Sequence, residues 1–230
     1  MLYYLVKERL KRAKESTVRT AEQINEIISR LEAEYPIAKC SLDYGKDYEL
    51  LFATRLAAQC TDERVNKITP VLYKRYPTLK EIAQAELSEL EEIIRSCGFY
   101  HSKANDIIRC ANELIDRFDG KVPDTMEALT SLPGVGRKTA NLILGDVFGK
   151  PAVVVDTHCI RLTNRIGLVD NQKDPTKIEM KLRELLPPEK SSDFCHRMVL
   201  HGREVCTARK PMCEKCCIRH VCKEFEGADK

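Results

Sequence analysis

A lysine and an aspartate that could do chemistry lie in one short stretch, LPGVGRKTANLILGDVFGKPAVVVDTHCIRL, residues 132–162. Lys138 follows a glycine-rich turn, and Asp156 follows a valine run eighteen positions later. A lysine amine that is kept neutral is a nucleophile that forms Schiff bases. A carboxylate can offset developing positive charge and transfer protons. The alternatives are an ordinary solvated lysine near a helix start and an aspartate that only caps a helix.

Four of the eleven cysteines form a second candidate site, Cys206, Cys213, Cys216 and Cys222, within seventeen residues. Four thiolates can hold either Zn²⁺ or a [4Fe–4S] cluster. Zinc sites usually have two close cysteine pairs separated by a longer loop, whereas only Cys213 and Cys216 form a close pair in this set. Cys217 could replace Cys216 as a ligand. The other cysteines are scattered, as small core residues usually are.

The turn before Lys138 must position that side chain. We expect a helix over residues 125–131 and a second one from Arg137 to about Val147, because Pro133 cannot continue the first helix. The turn glycines permit positive φ and leave room for another backbone, and the N–H groups that begin the second helix can bind an anion. Such a helix-hairpin-helix holds a DNA phosphate without reading a base; the alternative is an ordinary tight connection. The expected DNA contacts are Gly134, Val135, Gly136 and Arg137.

Helical patterns dominate the rest of the chain. The apolar face expected for residues 103–118 consists of Ala104, Ile107, Ile108, Ala111, Leu114 and Ile115. Residues 78–96 begin with a capping box from Thr78 to Glu81, and place Leu87, Leu90 and Ile94 in helical register. A second box, from Ser88 to Glu91, predicts a break into two short helices. Asp124 is expected to cap the helix before the turn, and only Val153–Val155 resembles a strand. We therefore expect an all-α fold.

Composition and charge limit the class of protein. The chain has 230 residues, 43% hydrophobic and 32% charged, which is typical of a folded globular protein. The absence of a long apolar run or a secretory signal pattern leads us to expect a cytoplasmic protein, in which many cysteines indicate metal binding rather than disulfides. Residues 1–19 and residues 201–223 each carry six Lys or Arg against two acids. These basic ends either bind a polyanion or are simply solvated.

Five segments together resemble the endonuclease III family of DNA glycosylases with abasic-site (AP) lyase activity. They are LPGVGRKTAN, VDTHCIRLTNR, LAAQCTDERVNK (56–67), GFYHSKA (98–104) and LHGREVCTARKP (200–211). The resemblance covers roughly residues 19–225, with the motifs in the family's order and spacing. It implies one helical lobe over residues 40–150, with the hairpin at about 125–148, and a second lobe made of residues 19–39 and 151–230. Residues 1–18 precede the family's usual start as a basic extension.

The resemblance assigns chemistry to the lysine and the aspartate. It implies that Lys138 attacks the deoxyribose carbon that carries the base and that Asp156 is the carboxylate partner, with DNA lying in a cleft between the lobes. A place in the first helical turn, beside Arg137 and the positive helix end, favours the neutral amine. The implied substrates are oxidised or ring-saturated pyrimidines in duplex DNA, and abasic sites. We expect a monomer, nucleoid-associated if bacterial, that binds no membrane.

Two further residues match positions that open the duplex in the family. Gln59 matches a glutamine that enters the base stack, and Phe99 takes the place of a commonly found leucine that inserts opposite. Without the resemblance, Gln59 would be an ordinary helix residue and Phe99 a core aromatic. Ala57 stands where many relatives have serine in the base pocket. Ala57 and Phe99 therefore leave the base and opposite-base preferences open.

The cysteine spacing matches the family's iron–sulfur loop, residues 206–222, so the resemblance implies a structural [4Fe–4S] cluster. Arg209 and Lys210 lie at the tip of this loop, where they are expected to contact phosphates. His201 is expected to have a structural role. Three alternatives are weaker. An adenine glycosylase of the same superfamily would lack the lysine at 138, a non-catalytic DNA-binding module would need neither Lys138 nor Asp156, and an iron–sulfur redox sensor would need no hairpin.

Overall fold

The computed structural model describes residues 19–228, and the basic extension over residues 1–18 lies outside this range. In chain order the helices are α1 (Ala21–Glu34), α2 (Asp47–Ala57), α3 (Asp62–Arg75), α4 (Leu79–Ala83), α5 (Leu87–Ile94), α6 (Tyr100–Phe118), α7 (Met126–Thr130), α8 (Arg137–Asp146), α9 (Thr157–Ile166), α10 (Pro175–Leu185), α11 (Ser191–Glu204) and α12 (Lys223–Ala228). Short 3₁₀ helices lie at Arg95–Cys97, Pro188–Lys190, Cys213–Lys215 and Arg219–Val221. Within the described range there is no strand, which confirms the predicted all-α fold.

The helices belong to two compact units. Residues 40–150 form one unit, which contains α2 to α8, and residues 19–39 with 151–228 form the other. In the first unit α4 and α5 pack against α6, and α2 packs against α3 and α8. In the second unit α1 and α9 pack against α11. Among residues 19–228, no helix has the length and apolar character that crossing a membrane requires.

Helix α6 shows why an apolar pattern locates a helix better than it locates its buried face. Four of the six residues of the predicted apolar face are buried: Ala104, Ile107, Ala111 and Leu114. Ile108 is only half-buried and Ile115 is exposed, so the apolar face is wider than the buried one. The buried stripe instead includes Lys103 and Cys110, which keep the spacing of three and four residues that one helix face requires.

The break within residues 78–96 is confirmed, but one of its predicted signals is wrong. The capping box at α4 forms as expected, with Thr78 N donating to Glu81 Oε2 at 2.8 Å. Helix α5 begins at Leu87 with Glu86 as its N-cap, so Ser88 and Glu91 do not form a second box. The Glu91 carboxylate lies 2.8 Å from His101 Nδ1, which gives it a partner outside its own helix.

The prediction for Asp124 is wrong, and the strand-like segment Val153–Val155 agrees with the predicted all-α fold. The N-cap of α7 is Thr125, whose hydroxyl accepts from the N–H of Ala128 at 3.2 Å. The Asp124 carboxylate instead pairs with Lys150 Nζ at 2.6 Å. The three valines are buried, but their backbone forms no strand. They form a buried apolar segment that directly precedes Asp156 and α9, which begins at Thr157.

Candidate functional site

The helix pair α7 and α8 forms the predicted hairpin. Val135 N donates to Leu132 O at 3.2 Å, which closes the turn, and α8 begins at Arg137 with Gly136 as its N-cap. Gly134 has a φ of +74°, so it uses the left-handed region that favours glycine. Gly136 has a φ of −94°, which any residue can adopt, so positive φ is not its purpose. A Cβ atom added at Gly136 would meet no atom within 4 Å, which leaves the approach to the first turn of α8 open.

An ion pair that the sequence pattern did not reveal supports this turn. Arg55 of α2 and Asp106 of α6 lie 2.6 Å apart, Nη2 to Oδ2, and a second bond from Arg55 Nε measures 2.8 Å. A Cβ atom added at Gly134 would lie 3.0 Å from both side chains. Glycine is therefore favoured at position 134 for two reasons: its φ is positive, and the ion pair fills the space that a side chain would occupy. No local motif predicts a contact between residues 51 positions apart.

Lys138 and Asp156 each begin a helix. Lys138 is the second residue of α8, and its side chain is exposed. Asp156 is the N-cap of α9, with Oδ1 accepting from the N–H of Cys159 at 2.7 Å. This confirms the capping role that the sequence allowed for Asp156. Lys138 belongs to the unit of residues 40–150 and Asp156 to the other, so their pairing stays a prediction.

Gln59 and Phe99 lie on two turns of the first unit, each in a left-handed backbone conformation. Their φ angles are 56° and 48°. Gln59 follows the end of α2 and is exposed, so it is not a helix residue. Phe99 is 66% exposed, so it is not a core aromatic. A left-handed backbone conformation costs a non-glycine residue about 1–2 kcal/mol. The rest of the fold must therefore impose this conformation on Gln59 and Phe99.

The four cysteines of the predicted cluster are half-buried in the second unit. Burial, followed by the nearby thiols of Cys217, Cys222 and Cys206, raises the pKa of Cys216 to about 12. For the neighbouring Cys217, burial and then Glu34 raise the pKa of its thiol. Cys216 therefore interacts electrostatically with the other thiols of the predicted set, whereas Cys217 interacts with Glu34 of α1. The chemistry of the donor set fits a [4Fe–4S] cluster, because such a cluster is held by four thiolates.

Within residues 19–228, no three His, Cys, Asp or Glu side chains are grouped as ligands of one metal ion.

Several residues of the second unit hold the cysteine loop: Arg161 Nη2 donates to Cys206 O at 3.0 Å, and Arg165 and His201 make further contacts. Arg165 Nη1 donates to Thr207 O at 2.8 Å and Nη2 to Ala208 O at 3.0 Å, and the Cys222 thiol lies 3.4 Å from Arg165 O. His201 Nε2 lies 3.3 Å from Cys216 Sγ, and its Nδ1 lies 3.2 Å from the Tyr35 hydroxyl. Burial lowers the pKa of His201 to about 4. A neutral, buried His201 agrees with the structural role expected for it.

The outer part of the same loop carries the predicted phosphate contacts. Arg209 and Lys210 are exposed, and Thr207 Oγ1 donates to Lys210 O at 2.7 Å, which closes a small turn. Sequence reasoning missed Arg165, because an arginine 41 positions before Cys206 carries no motif that links it to the loop.

Known DNA repair proteins are similar to this chain over most of its length. Residues 52–188 match the family described as HhH-GPD superfamily base excision DNA repair protein. Endonuclease III of Synechocystis sp. is 47% identical over 208 residues, which cover 90% of this chain and 94% of that protein. Endonuclease III of Escherichia coli K12 is 39% identical over 204 residues, covering 89% of this chain and 96% of that protein.

Solved structures agree. A non-covalent endonuclease III–DNA complex matches with a TM-score of 0.86 at 39% identity, covering 92% of this chain and 99% of that one. A trapped endonuclease III–DNA covalent intermediate matches with a TM-score of 0.87 at 38% identity, covering 93% and 100%. The hairpin and the helical fold therefore define a base excision DNA repair protein of the HhH-GPD superfamily. Within that superfamily, the chain belongs to the endonuclease III family.

Proposed function

We propose that Lys138 is the nucleophile of this DNA glycosylase and abasic-site lyase. Membership of the endonuclease III family makes the chain a bifunctional enzyme of base excision repair. The observation that supports Lys138 is its position, exposed in the first turn of the hairpin's second helix. The helix end that binds a phosphate also carries the amine, so the same contact that anchors DNA brings a sugar near the nucleophile.

The reaction needs an amine and a carboxylate in different roles. The neutral amine of Lys138 attacks C1′ of the deoxyribose, and the damaged base leaves. Loss of a proton from the lysine nitrogen and opening of the C1′–O4′ ring bond then give a Schiff base, with the ring oxygen taking up a proton. The Schiff base acidifies the C2′ proton, so the 3′ phosphate departs by β-elimination. In this proposal Asp156 offsets the positive charge that develops on the sugar and transfers protons. Its bond to Cys159 N fixes the carboxylate at the start of α9.

The proposed substrates are oxidised or ring-saturated pyrimidines in duplex DNA, together with abasic sites. A base inside the stack is unreachable until its nucleotide is extruded. The exposed side chains of Gln59 and Phe99 are proposed to fill the gap, and Phe99 can stack on the opposite base. Phosphates are held by the Gly134–Arg137 turn and by Arg209 and Lys210, which gives affinity without reading bases.

The proposed cofactor is one [4Fe–4S] cluster held by Cys206, Cys213, Cys216 and Cys222. When bound, it cross-links the loop and supplies rigidity rather than chemistry on the sugar. Arg165 and His201 hold the same loop from within the second unit. We also propose that the protein acts as a monomer in the cytoplasm, at the nucleoid in a bacterium.

Trapping the covalent intermediate tests the nucleophile. Borohydride reduces the imine, so wild-type protein incubated with abasic duplex DNA is expected to become irreversibly joined to it. Lys138→Gln should abolish both this cross-link and strand nicking, while DNA binding persists because the hairpin N–H groups belong to the backbone. The measurement is a denaturing gel for the cross-link and the nick, with a gel shift for binding.

Lys80→Gln is the matched control. Lys80 is also exposed and is also the second residue of its helix, α4, in the same unit. It should trap and nick as the wild type does. Persistent trapping by Lys138→Gln would overturn the assignment and point to another amine.

A further inference from the structure

Lys103, which the reaction described above does not use, is buried in the first unit. It is the fourth residue of α6 and only 1% exposed, and among the described residues it is the one lysine that is buried. Its ammonium donates to two backbone carbonyls, Leu56 O at 2.8 Å and Cys97 O at 2.9 Å. Burial lowers the pKa of this side chain.

A lysine is unfavourable at this position unless something compensates for it. Burying a charge requires partners, and a cation near the start of its own helix meets the positive end of the helix dipole. The two carbonyls supply the compensation, because both lie at the carboxyl ends of other helices. Leu56 is in the last turn of α2, and Cys97 ends the 3₁₀ helix Arg95–Cys97. The Lys103 ammonium therefore caps two helix ends at once.

Each capped helix end leads directly into one of the two left-handed turns. Gln59 follows Leu56 by three residues, and Phe99 follows Cys97 by two. Cys60 N donates to Ala57 O at 3.1 Å on the first turn, and Gly98 N to Arg95 O at 3.2 Å on the second. These local bonds shape each turn separately. Between the two turns, the Lys103 ammonium bonds to the backbone of both helix ends, and the thiols of Cys60 and Cys97 also interact with each other.

We propose that Lys103 is a positioning residue for base extrusion, which fixes the spacing between the Gln59 turn and the Phe99 turn so that both side chains enter the duplex together. This inference rests on the proposed roles of Gln59 and Phe99. Filling a stack from two sides needs both side chains at a fixed separation, since the gap left by one nucleotide has a fixed size. The Lys103 ammonium, which is bonded to both helix ends, can keep this separation fixed.

The test compares two activities of the same enzyme. Lys103→Met keeps an unbranched apolar side chain, one atom shorter than lysine, and removes the donor. Because an abasic site has no stacked base to displace, we expect base excision to fall at least about tenfold and nicking of preformed abasic DNA by about twofold or less. A 2-aminopurine base opposite the lesion reports stacking by its fluorescence. The change in this fluorescence on binding should be smaller for Lys103→Met than for the wild type, in parallel with the loss of excision. In the Lys103→Met background, Gln59→Ala should cause little further loss of excision.

Two control variants separate positioning from general stability. Ile82→Ala removes a fully buried side chain of α4, which packs on α6, so it lowers the melting temperature and should not favour one activity over the other. Lys46→Met removes an exposed lysine that donates to Pro77 O at 2.7 Å in the same unit, and both activities should stay near wild type. If Lys103→Met does not fold, Lys103→Gln, which keeps one amide donor, should show the same split with a smaller loss.

The outcomes separate this inference from the proposed function. If wild-type protein neither nicks nor traps abasic DNA, the proposed function fails. If wild-type protein does both, but Lys103→Met or Lys103→Gln loses excision and nicking in equal measure, Lys103 only stabilises the fold and the inference is overturned. Fully additive losses for Lys103→Met and Gln59→Ala would also overturn it.

Discussion

Asp156 has two roles that depend on different properties of its carboxylate. As the N-cap of α9 it needs only an oxygen that accepts from Cys159 N, and asparagine provides one equally well. As the proposed partner of the sugar it needs negative charge. The two roles can therefore be separated by one substitution that keeps the oxygen and removes the charge.

We predict that Asp156→Asn changes the free energy of unfolding by less than about 0.5 kcal/mol, because Asp and Asn cap helices similarly. Base excision should fall about 100-fold or more, the scale of a lost acid–base group. Some borohydride trapping at abasic sites should persist, since the amine of Lys138 remains. Denaturant unfolding and single-turnover excision measure the two effects.

Asp174→Asn is the control for this prediction. Asp174 caps α10 in the same unit, with Oδ1 accepting from Thr176 N at 2.8 Å, and no chemistry is proposed for it. It should leave excision near wild type. Equal loss of activity in Asp174→Asn and Asp156→Asn would show that the effect does not depend on a charge placed at the sugar, and would contradict the role proposed for Asp156.

At the same scale, local signals predicted some residues and missed others for identifiable reasons. Asp156 was predicted as a possible cap because Asp-Thr before a helical run is a local pattern. Gly134 was predicted because a turn after Pro133 needs positive φ. The left-handed conformations of Gln59 and Phe99 could not be predicted, since neither residue type favours that region. Tertiary contacts enforce them.

At the scale of elements, the adjacent residues Cys216 and Cys217 of the cysteine loop can be compared as candidate cluster ligands. Cys216 Sγ lies 3.3 Å from His201 Nε2 and interacts electrostatically with Cys206 and Cys222, whereas Cys217 interacts with Glu34 of α1. We predict that Cys217→Ser retains about four irons per chain, as one [4Fe–4S] cluster requires, and that Cys216→Ser loses them. Iron analysis and visible absorption of purified protein measure this. Iron loss in Cys217→Ser with retention in Cys216→Ser would reverse the ligand assignment, and a colourless, zinc-loaded wild type would exclude the cluster.

Element boundaries followed the sequence where a residue excludes alternatives. Pro133 ended the first hairpin helix, and the Thr78–Glu81 box began α4. Predictions failed where two local signals competed. The Ser88–Glu91 box did not form, and Glu91 lies beside His101 instead. Thr125, and not Asp124, is the N-cap of α7, and Asp124 pairs with Lys150. Side chains with partners far along the chain are therefore poor markers of helix ends.

At the scale of the whole molecule, the pairs Arg55–Asp106 and Lys103–Leu56 join helices that are distant in sequence. Such contacts depend on the folded chain, so a one-dimensional pattern does not contain them. Family resemblance supplied the proposed roles of Lys138 and Asp156, which the residues alone left open. Net charge, by contrast, is a property of the whole chain that the sequence gives directly.

Residues 1–18 carry five Lys or Arg and two Glu, and the whole chain has a net charge of only +3. We predict that removing these residues weakens binding to undamaged duplex DNA and flattens its salt dependence, since each lost phosphate contact lowers the slope of log K against log [salt] by about one. Nicking at saturating DNA should stay near wild type, because no chemistry is proposed for the extension. The full-length chain with those five residues changed to Gln should behave like the truncated one. Unchanged binding with lost activity would assign the extension to folding instead.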